Sequence, residues 1–333
     1  MRGPLNILSI FWGVVFILST SAISIGDSCN KFIERFVITR FHTLQKNTLC
    51  WCDTTSHSLT FMVGFNPYGL AFDGTNIWVT NYGSDSISKL RANDGTLLGT
   101  YAVGFNPRGI AFDGANIWVA NASNNSVTKL KASDGSMRGT YGVGFYPYAI
   151  VCDGVNIWVT NSGSGTISKL RASDGVTLGT YAVGANPRGI TFDGSHIWVT
   201  NANSNNVVKL RVSDGVILGR YAMNFYPYGI ASDGSNIWVT NRSGNNVIKL
   251  RASDGSVLGS YCAGIYPYGV AFDGKNIWVT NSGSNNVMKL RAHDGVLLGT
   301  YSVGFNPMGI IFDGTNIWVT NYDNGTVTKL QTD

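Results

Sequence analysis

At 333 residues the chain is long enough for one large domain or two of ordinary size, and only 13% of it is charged, against about 25% in an average globular protein. With 41 Gly and 44% hydrophobic residues, it cannot be a disordered polyelectrolyte, a coiled coil or a charged helical array. Of 19 acidic residues 18 are Asp and one, Glu34, is Glu, which predicts an all-β fold because helical surfaces use Glu freely; the formal charge of +5 is too mild to imply nucleic acid.

Residues 1–25 read as a targeting segment. Arg2 is a positive start, Leu5 to Leu18 is almost wholly apolar, and Ser19-Thr20-Ser21-Ala22 offers the small residues of a cleavage region. The same stretch approaches the length of a membrane span, so a cleaved signal peptide and an uncleaved anchor both stand. Either one places the rest of the chain outside the cytoplasm, as a secreted, periplasmic or cell-surface protein. Any membrane contact is expected only through this segment if it stays uncleaved.

Residues 26–57 form a head whose structure and role the sequence does not define. Cys29, Cys50 and Cys52 lie there, and one disulfide among them suits an oxidising compartment. Cys50-Trp51-Cys52 has one intervening residue rather than the two of a redox or zinc motif, so no metal and no cofactor is expected. Cys152 and Cys262 replace apolar residues of the repeat that follows and read as small core hydrophobes.

From residue 58 to 333 the chain repeats every forty residues. Ile-Trp-Val recurs at Ile77, Ile117, Ile157, Ile197, Ile237, Ile277 and Ile317 with no insertion or deletion. In the second unit, Gly109 to Asp113, Asn116 to Asn121, Ser126 to Lys131 and Met137 to Val143 read as strands. Asp113-Gly114 and Ser133-Asp134-Gly135 supply the tight turns. Four short antiparallel strands per unit predict a seven-bladed β-propeller. The seventh unit lacks its fourth strand, and Leu59-Thr60-Phe61-Met62-Val63-Gly64 is an orphan fourth strand at the other end. Pairing the two closes the ring and removes exposed edges. The propeller is expected to be monomeric.

The blocks Asn106-Pro107-Arg108-Gly109-Ile110-Ala111-Phe112-Asp113 and Ile117-Trp118-Val119-Ala120-Asn121 resemble repeats of the YVTN and NHL propeller families, over roughly residues 58 to 330. The resemblance extends in architecture to virginiamycin B lyase-like propellers. It implies the propeller fold. For function it implies a range: protein, sugar or nucleic-acid binding in many members, lactonase or lyase activity in a few.

Most recurring chemistry has a structural explanation. Trp78, Trp118, Trp158, Trp198, Trp238, Trp278 and Trp318 are expected to pack between blades, one per blade. Asp73 and Asp94, with their equivalents, precede Gly in turns. Lys89 and its equivalents run along the third strands with packed stems, which argues against a nucleic-acid patch. Beyond residue 57 there is no Glu, and His196 and His293 fall in turns two blades apart, far from the axis, so no catalytic residue is assigned.

The units differ in the loop entering each blade and in the loop between its second and third strands, which emerge on the same face. Tyr68, Arg108, Tyr146, Tyr148, Arg188, Tyr226, Tyr228, Arg242, Tyr266 and Tyr268 lie in these segments and form the candidate binding face. Tyr and Arg carry binding energy in recognition surfaces, and Asn-rich loops with Tyr suit sugars. The expectation is an exported, non-catalytic scaffold for a protein or carbohydrate partner. A lyase- or lactonase-like enzyme and a structural surface protein are the alternatives.

Overall fold

The computed structural model describes residues 58–332. The expected leader, the head and its three cysteines lie outside the described residues. The chain forms seven four-stranded antiparallel sheets, each built from consecutive strands except the last. In that blade Ser58–Met62 pairs with Thr326–Gln331, Ser58 opposite Leu330 and Met62 opposite Thr326, so the first strand completes the last sheet. The expected closure is present. Blades are numbered 1 to 7 from Pro67.

The innermost strands are Pro67–Phe72, Pro107–Phe112, Pro147–Cys152, Pro187–Phe192, Pro227–Ser232, Pro267–Phe272 and Pro307–Phe312. Each contacts its two neighbours, and the last contacts the first, so they form a closed inner ring. These strands begin at Pro, two residues earlier than the sequence predicted. Proline suits a strand's first residue because its missing N–H is not needed by the ladder there. Pro107 then pairs with Asn121 and Ile110 with Val119, so one extra residue is bulged out at Arg108-Gly109. Bulges re-aim side chains, and here the bulged position alternates between Tyr and Arg in the first five blades and is Tyr268 and Met308 in the last two. Gly109 itself is needed for close approach: a Cβ there would lie 2.7 Å from the Tyr148 carbonyl oxygen of the next inner strand.

The seven Trp side chains are fully buried between blades, as their spacing predicted. Trp78, for example, packs with Ile87 of its own blade and with Ile110, Ile117, Val119 and Leu130 of the next. Each Trp indole N–H donates to the Asp of the first turn, Trp78 to Asp73 at 2.8 Å and Trp158 to Asp153 at 2.7 Å. That Asp also caps its turn, accepting the backbone N–H groups of residues two and three further on. The Lys residues do more than pack their stems. Lys89 Nζ lies 4.9 Å from the centre of the Trp78 ring and donates to the carbonyls of Ala132 and Ser133 in the next blade, at 2.7 and 3.2 Å. Lys329 makes the same bonds to Ala92 and Asn93 across the closure.

The inner ring is tied at its carbonyls. Thr80 Oγ1 accepts the Gly69 N–H and donates to Arg108 O of the next blade, at 2.8 and 2.7 Å. Thr320 donates to Tyr68 O and so ties blade 7 to blade 1. Of the two repeat cysteines, Cys152 is free and half-buried, whereas Cys262 is disulfide-bonded and is not the simple core hydrophobe expected.

Candidate functional site

The bulge decides what fills the axis. Tyr68, Tyr148, Tyr228 and Tyr268, expected in exposed entry loops, stand on the inner strands with 5–9% of their surface exposed. They come from blades 1, 3, 5 and 6, yet their hydroxyls touch, which is achieved only at the ring's axis. Tyr68 bonds Tyr148 and Tyr268, and Tyr148 bonds Tyr228. Tyr148 also meets Tyr268 at 2.5 Å, and Tyr228 meets Tyr268 at 3.0 Å. Satisfying each phenol with another is what lets four polar groups be buried together. These four residues are therefore core at the axis rather than open surface.

The other six candidates surround this plug at its loop end. Arg108 lies 4.7–5.1 Å from the ring centres of Tyr68, Tyr82, Tyr146 and Tyr148 and donates to the hydroxyls of Tyr68 and Tyr146 at 2.8 and 2.9 Å. Arg188 stacks on Tyr148 at 4.3 Å and faces Tyr228 at 5.5 Å. Arg242, in the loop between the second and third strands of blade 5, lies 5.0 Å from Tyr266 and 6.0 Å from Tyr228. Tyr226 stacks over Tyr228 and accepts from the Asn186 side chain at 3.1 Å. All ten candidates thus converge on one end of the axis. The two acids in the loops of that face, Asp85 and Asp323, belong to blades 1 and 7.

Burial is the largest cause that pushes the phenols of Tyr68, Tyr228 and Tyr268 above the ordinary value, and the neighbouring Tyr148 adds to it. Tyr146 goes the other way: burial raises its phenol, but the Arg108 guanidinium, a hydrogen bond with Tyr82 and the Arg188 charge together outweigh burial and leave it below the ordinary value. An acid whose folded-state pKa is raised contributes full stability below its unfolded pKa, about 10 for Tyr. That contribution is lost as pH rises from there toward the folded value. Urea-unfolding midpoints measured against pH are therefore expected to fall steeply above about pH 10, and Tyr268→Phe to make the fall shallower. A midpoint that stays flat well into the alkaline range would contradict this account of the plug.

The sequence reading missed a second set of residues on this face. Phe65, Phe105, Phe145, Phe225 and Phe305 are 59–75% exposed, and Ile265 is 51% exposed. Each sits in an entry loop, just before a residue whose positive φ turns the chain into the inner strand, such as Asn66, Tyr146 or Tyr266. The loop is pinned beneath the ring: the Phe65 N–H donates to Ser84 Oγ at 2.7 Å, and the Gly83 N–H to Phe65 O at 3.0 Å. Their signal in the sequence was a large apolar residue, Phe in five blades and Ile in one, just before Asn-Pro or Tyr-Pro, inside a turn and outside any strand. Ala185 breaks the series in blade 4.

The opposite face offers less free chemistry. A groove of about 860 Å³ there is lined by Asp73, Lys89, Lys129, Arg138 and Tyr141. Asp73 is bonded to Trp78, and Lys89 and Lys129 to the next blades' carbonyls. His196 lies 3.5 Å from Asp193 at the start of a second strand on that side. Among the described residues no three His, Cys, Asp or Glu side chains group as metal ligands.

Fold and axis together define a closed seven-bladed β-propeller with a tyrosine plug at one mouth. No family model matches the chain, and no curated protein matches it. Solved structures do. A structure of Kuenenia stuttgartiensis hydrazine synthase superposes with a TM-score of 0.72 at 20% identity, over 80% of this chain and 96% of that one. A streptogramin B lyase structure gives 0.71 at 22% identity, over 83% of this chain and 98% of that one. At such identities the likeness is one of fold.

Proposed function

We propose that this propeller is an exported, non-catalytic binding scaffold that engages a protein or carbohydrate partner through the face bearing the entry loops and the second-to-third-strand loops. The observation that supports it is the ring of exposed Phe side chains on that face. Large apolar side chains held out in solvent by fixed backbone geometry mark interaction surfaces, and aromatic rings are apt for both protein anchors and sugar stacking. The residues around the plug add Tyr and Arg at the centre of the same face. An enzyme of the lyase type would call for an acid–base pair at this mouth, where the side chains are Tyr and Arg, while His196 lies on the other side. The apolar segment of residues 5–18 supports export, and N-terminal sequencing of secreted material against membrane-bound material would test that part.

A screen of glycans and exported proteins, run on wild type and on a Phe105→Ser, Phe145→Ser variant, tests the face. Both positions are exposed, so the variant should fold and melt as wild type does. Partner binding is expected to weaken by about tenfold or more. A partner bound equally well by the variant, or no saturable partner at all, would overturn the assignment.

A further inference from the structure

Among the described residues, two arginines of the loop face have no hydrogen-bond acceptor. Arg188 and Arg242 both press their guanidinium planes on tyrosine rings and share Tyr228 as a neighbour. The Nε of each, like that of Arg108, is buried without a hydrogen-bond partner, and among the described residues neither enters an ion pair. Arg108 differs, because two phenols take its Nη groups. A guanidinium carries five donors in a planar fork, and leaving even its buried Nε–H unmatched is costly. Charge on the face is also divided. Arg188 and Arg242 belong to the adjacent blades 4 and 5, whereas Asp85 and Asp323 sit across the ring on blades 1 and 7.

The local architecture departs from the repeat at the same place. Blade 5 has Asn224 where the other six blades have Gly at the entry, and Phe225 and Tyr226 both adopt positive φ, the one such consecutive non-glycine pair among the described residues. In blade 1 the corresponding Gly64 N–H donates to Asn81, and a Cβ on that glycine would collide with the Asn81 side chain. In blade 5 the equivalent Asn241 is left with both side-chain polar atoms unpaired. Strained backbone and orphaned polar groups of this kind gather at functional sites. Blade 4 contributes Ala185 in place of the large apolar residue, so the ring is lowest beside Arg188.

We infer that Arg188 and Arg242 form an oxyanion site at the axial mouth, taking a carboxylate, sulfate or phosphate group between two guanidinium forks on a tyrosine floor. The site deepens the proposed role of this face by naming what its ligand presents, and it rests on that reading. Arg pairs with such groups bidentately, which Lys cannot reproduce. The Tyr rings keep the forks oriented and exclude water, so recognition there depends on geometry as well as on charge.

The test uses the small anions alone: inorganic sulfate, inorganic phosphate and malonate, titrated calorimetrically into the full chain at constant ionic strength. Wild type is expected to bind at least one of them saturably, and preference between malonate and the tetrahedral ions distinguishes a carboxylate-bearing from a sulfated or phosphorylated ligand. Arg188→Gln and Arg242→Gln should each weaken binding by about tenfold or more, and Arg242→Lys nearly as much, because a point charge replaces a fork. Arg138→Gln, which removes the same charge from the other face, should bind as wild type does. Should Arg188→Gln fail to fold, Arg242→Gln in its loop decides alone. Absence of saturable binding by wild type, or arginine variants that behave like Arg138→Gln, would overturn the site. Because no partner is present, the inference can fail while the Phe-ring assay still succeeds, and the reverse.

Discussion

Deleting residues 58–64 is expected to abolish the monomeric propeller. The segment supplies the outer strand of blade 7 over five paired residues, and Phe61 stacks on Trp318 with ring centres 5.6 Å apart. Val63 and Phe61 pack against the cluster that joins blade 7 to blade 1 through Ile77, Val79 and Leu90. Losing one large buried aromatic alone costs about 3–5 kcal/mol, somewhat less where it is half-buried as here. A domain of this kind has about 5–15 kcal/mol of total stability, so removing the whole strand takes most of it. The deletion also bares the edge of Thr326–Gln331, a template for pairing with another chain. Light scattering should therefore show oligomers or aggregates, the melting transition should drop or vanish, and a peptide of residues 58–64 added in excess should restore part of it. A truncated chain that stays monomeric with an unchanged transition would sink the idea that this strand holds the ring shut.

That closure was legible because it depends only on the repeat's period and on which strand is missing at each end. The Trp positions were legible for the same reason: seven identical side chains at a fixed spacing must share one environment. The axis was not. Tyr146 and Tyr148 flank the same proline, and nothing in their identity says that Tyr148 is buried at the plug while Tyr146 stands above it on Arg108. The bulge after Pro147 decides this, with one residue more than its partner strand, and a bulge leaves no composition signal beyond the small residue at its second position. The exposed Phe residues were hidden by the opposite difficulty. Phe65 and Phe72 are both aromatic and both recur, and only the positive φ of Asn66 separates the one held in solvent from the one packed between blades.

The two Asp-Gly turns of blades 1 to 6 look alike in sequence and should differ sharply in energetic weight. Asp153, in a first turn, accepts the Trp158 indole N–H at 2.7 Å and the backbone N–H groups of Val155 and Asn156 at 2.9 and 2.6 Å. Burial raises its carboxyl, but these donors outweigh burial and hold it below the ordinary value. Asp134, in a second turn, is exposed and pairs with Lys131 at the surface. Asp153→Ala strands the indole N–H of a fully buried Trp and uncaps the turn, so a loss of about 2–4 kcal/mol is expected, read from urea unfolding. Asp134→Ala should cost only a small fraction of that, because surface pairs are screened. Asp153→Asn keeps one acceptor but offers an amide donor to a donor, and should fall between wild type and Asp153→Ala. The carboxyls of Asp73, Asp113, Asp193 and Asp273 are depressed in the same way. A depressed folded-state pKa contributes stability that is complete above the unfolded value, about 3.9. It drains away as pH falls through the folded value, so acid unfolding should set in below about pH 4 and deepen with each proton taken up. The double variant Asp153→Ala, Trp158→Phe is the sharper control. With both partners of the bond gone, it should cost measurably less than the sum of the two single changes. Strict additivity would mean that the indole–carboxylate bond contributes nothing, and that the first-turn Asp is there for turn geometry alone.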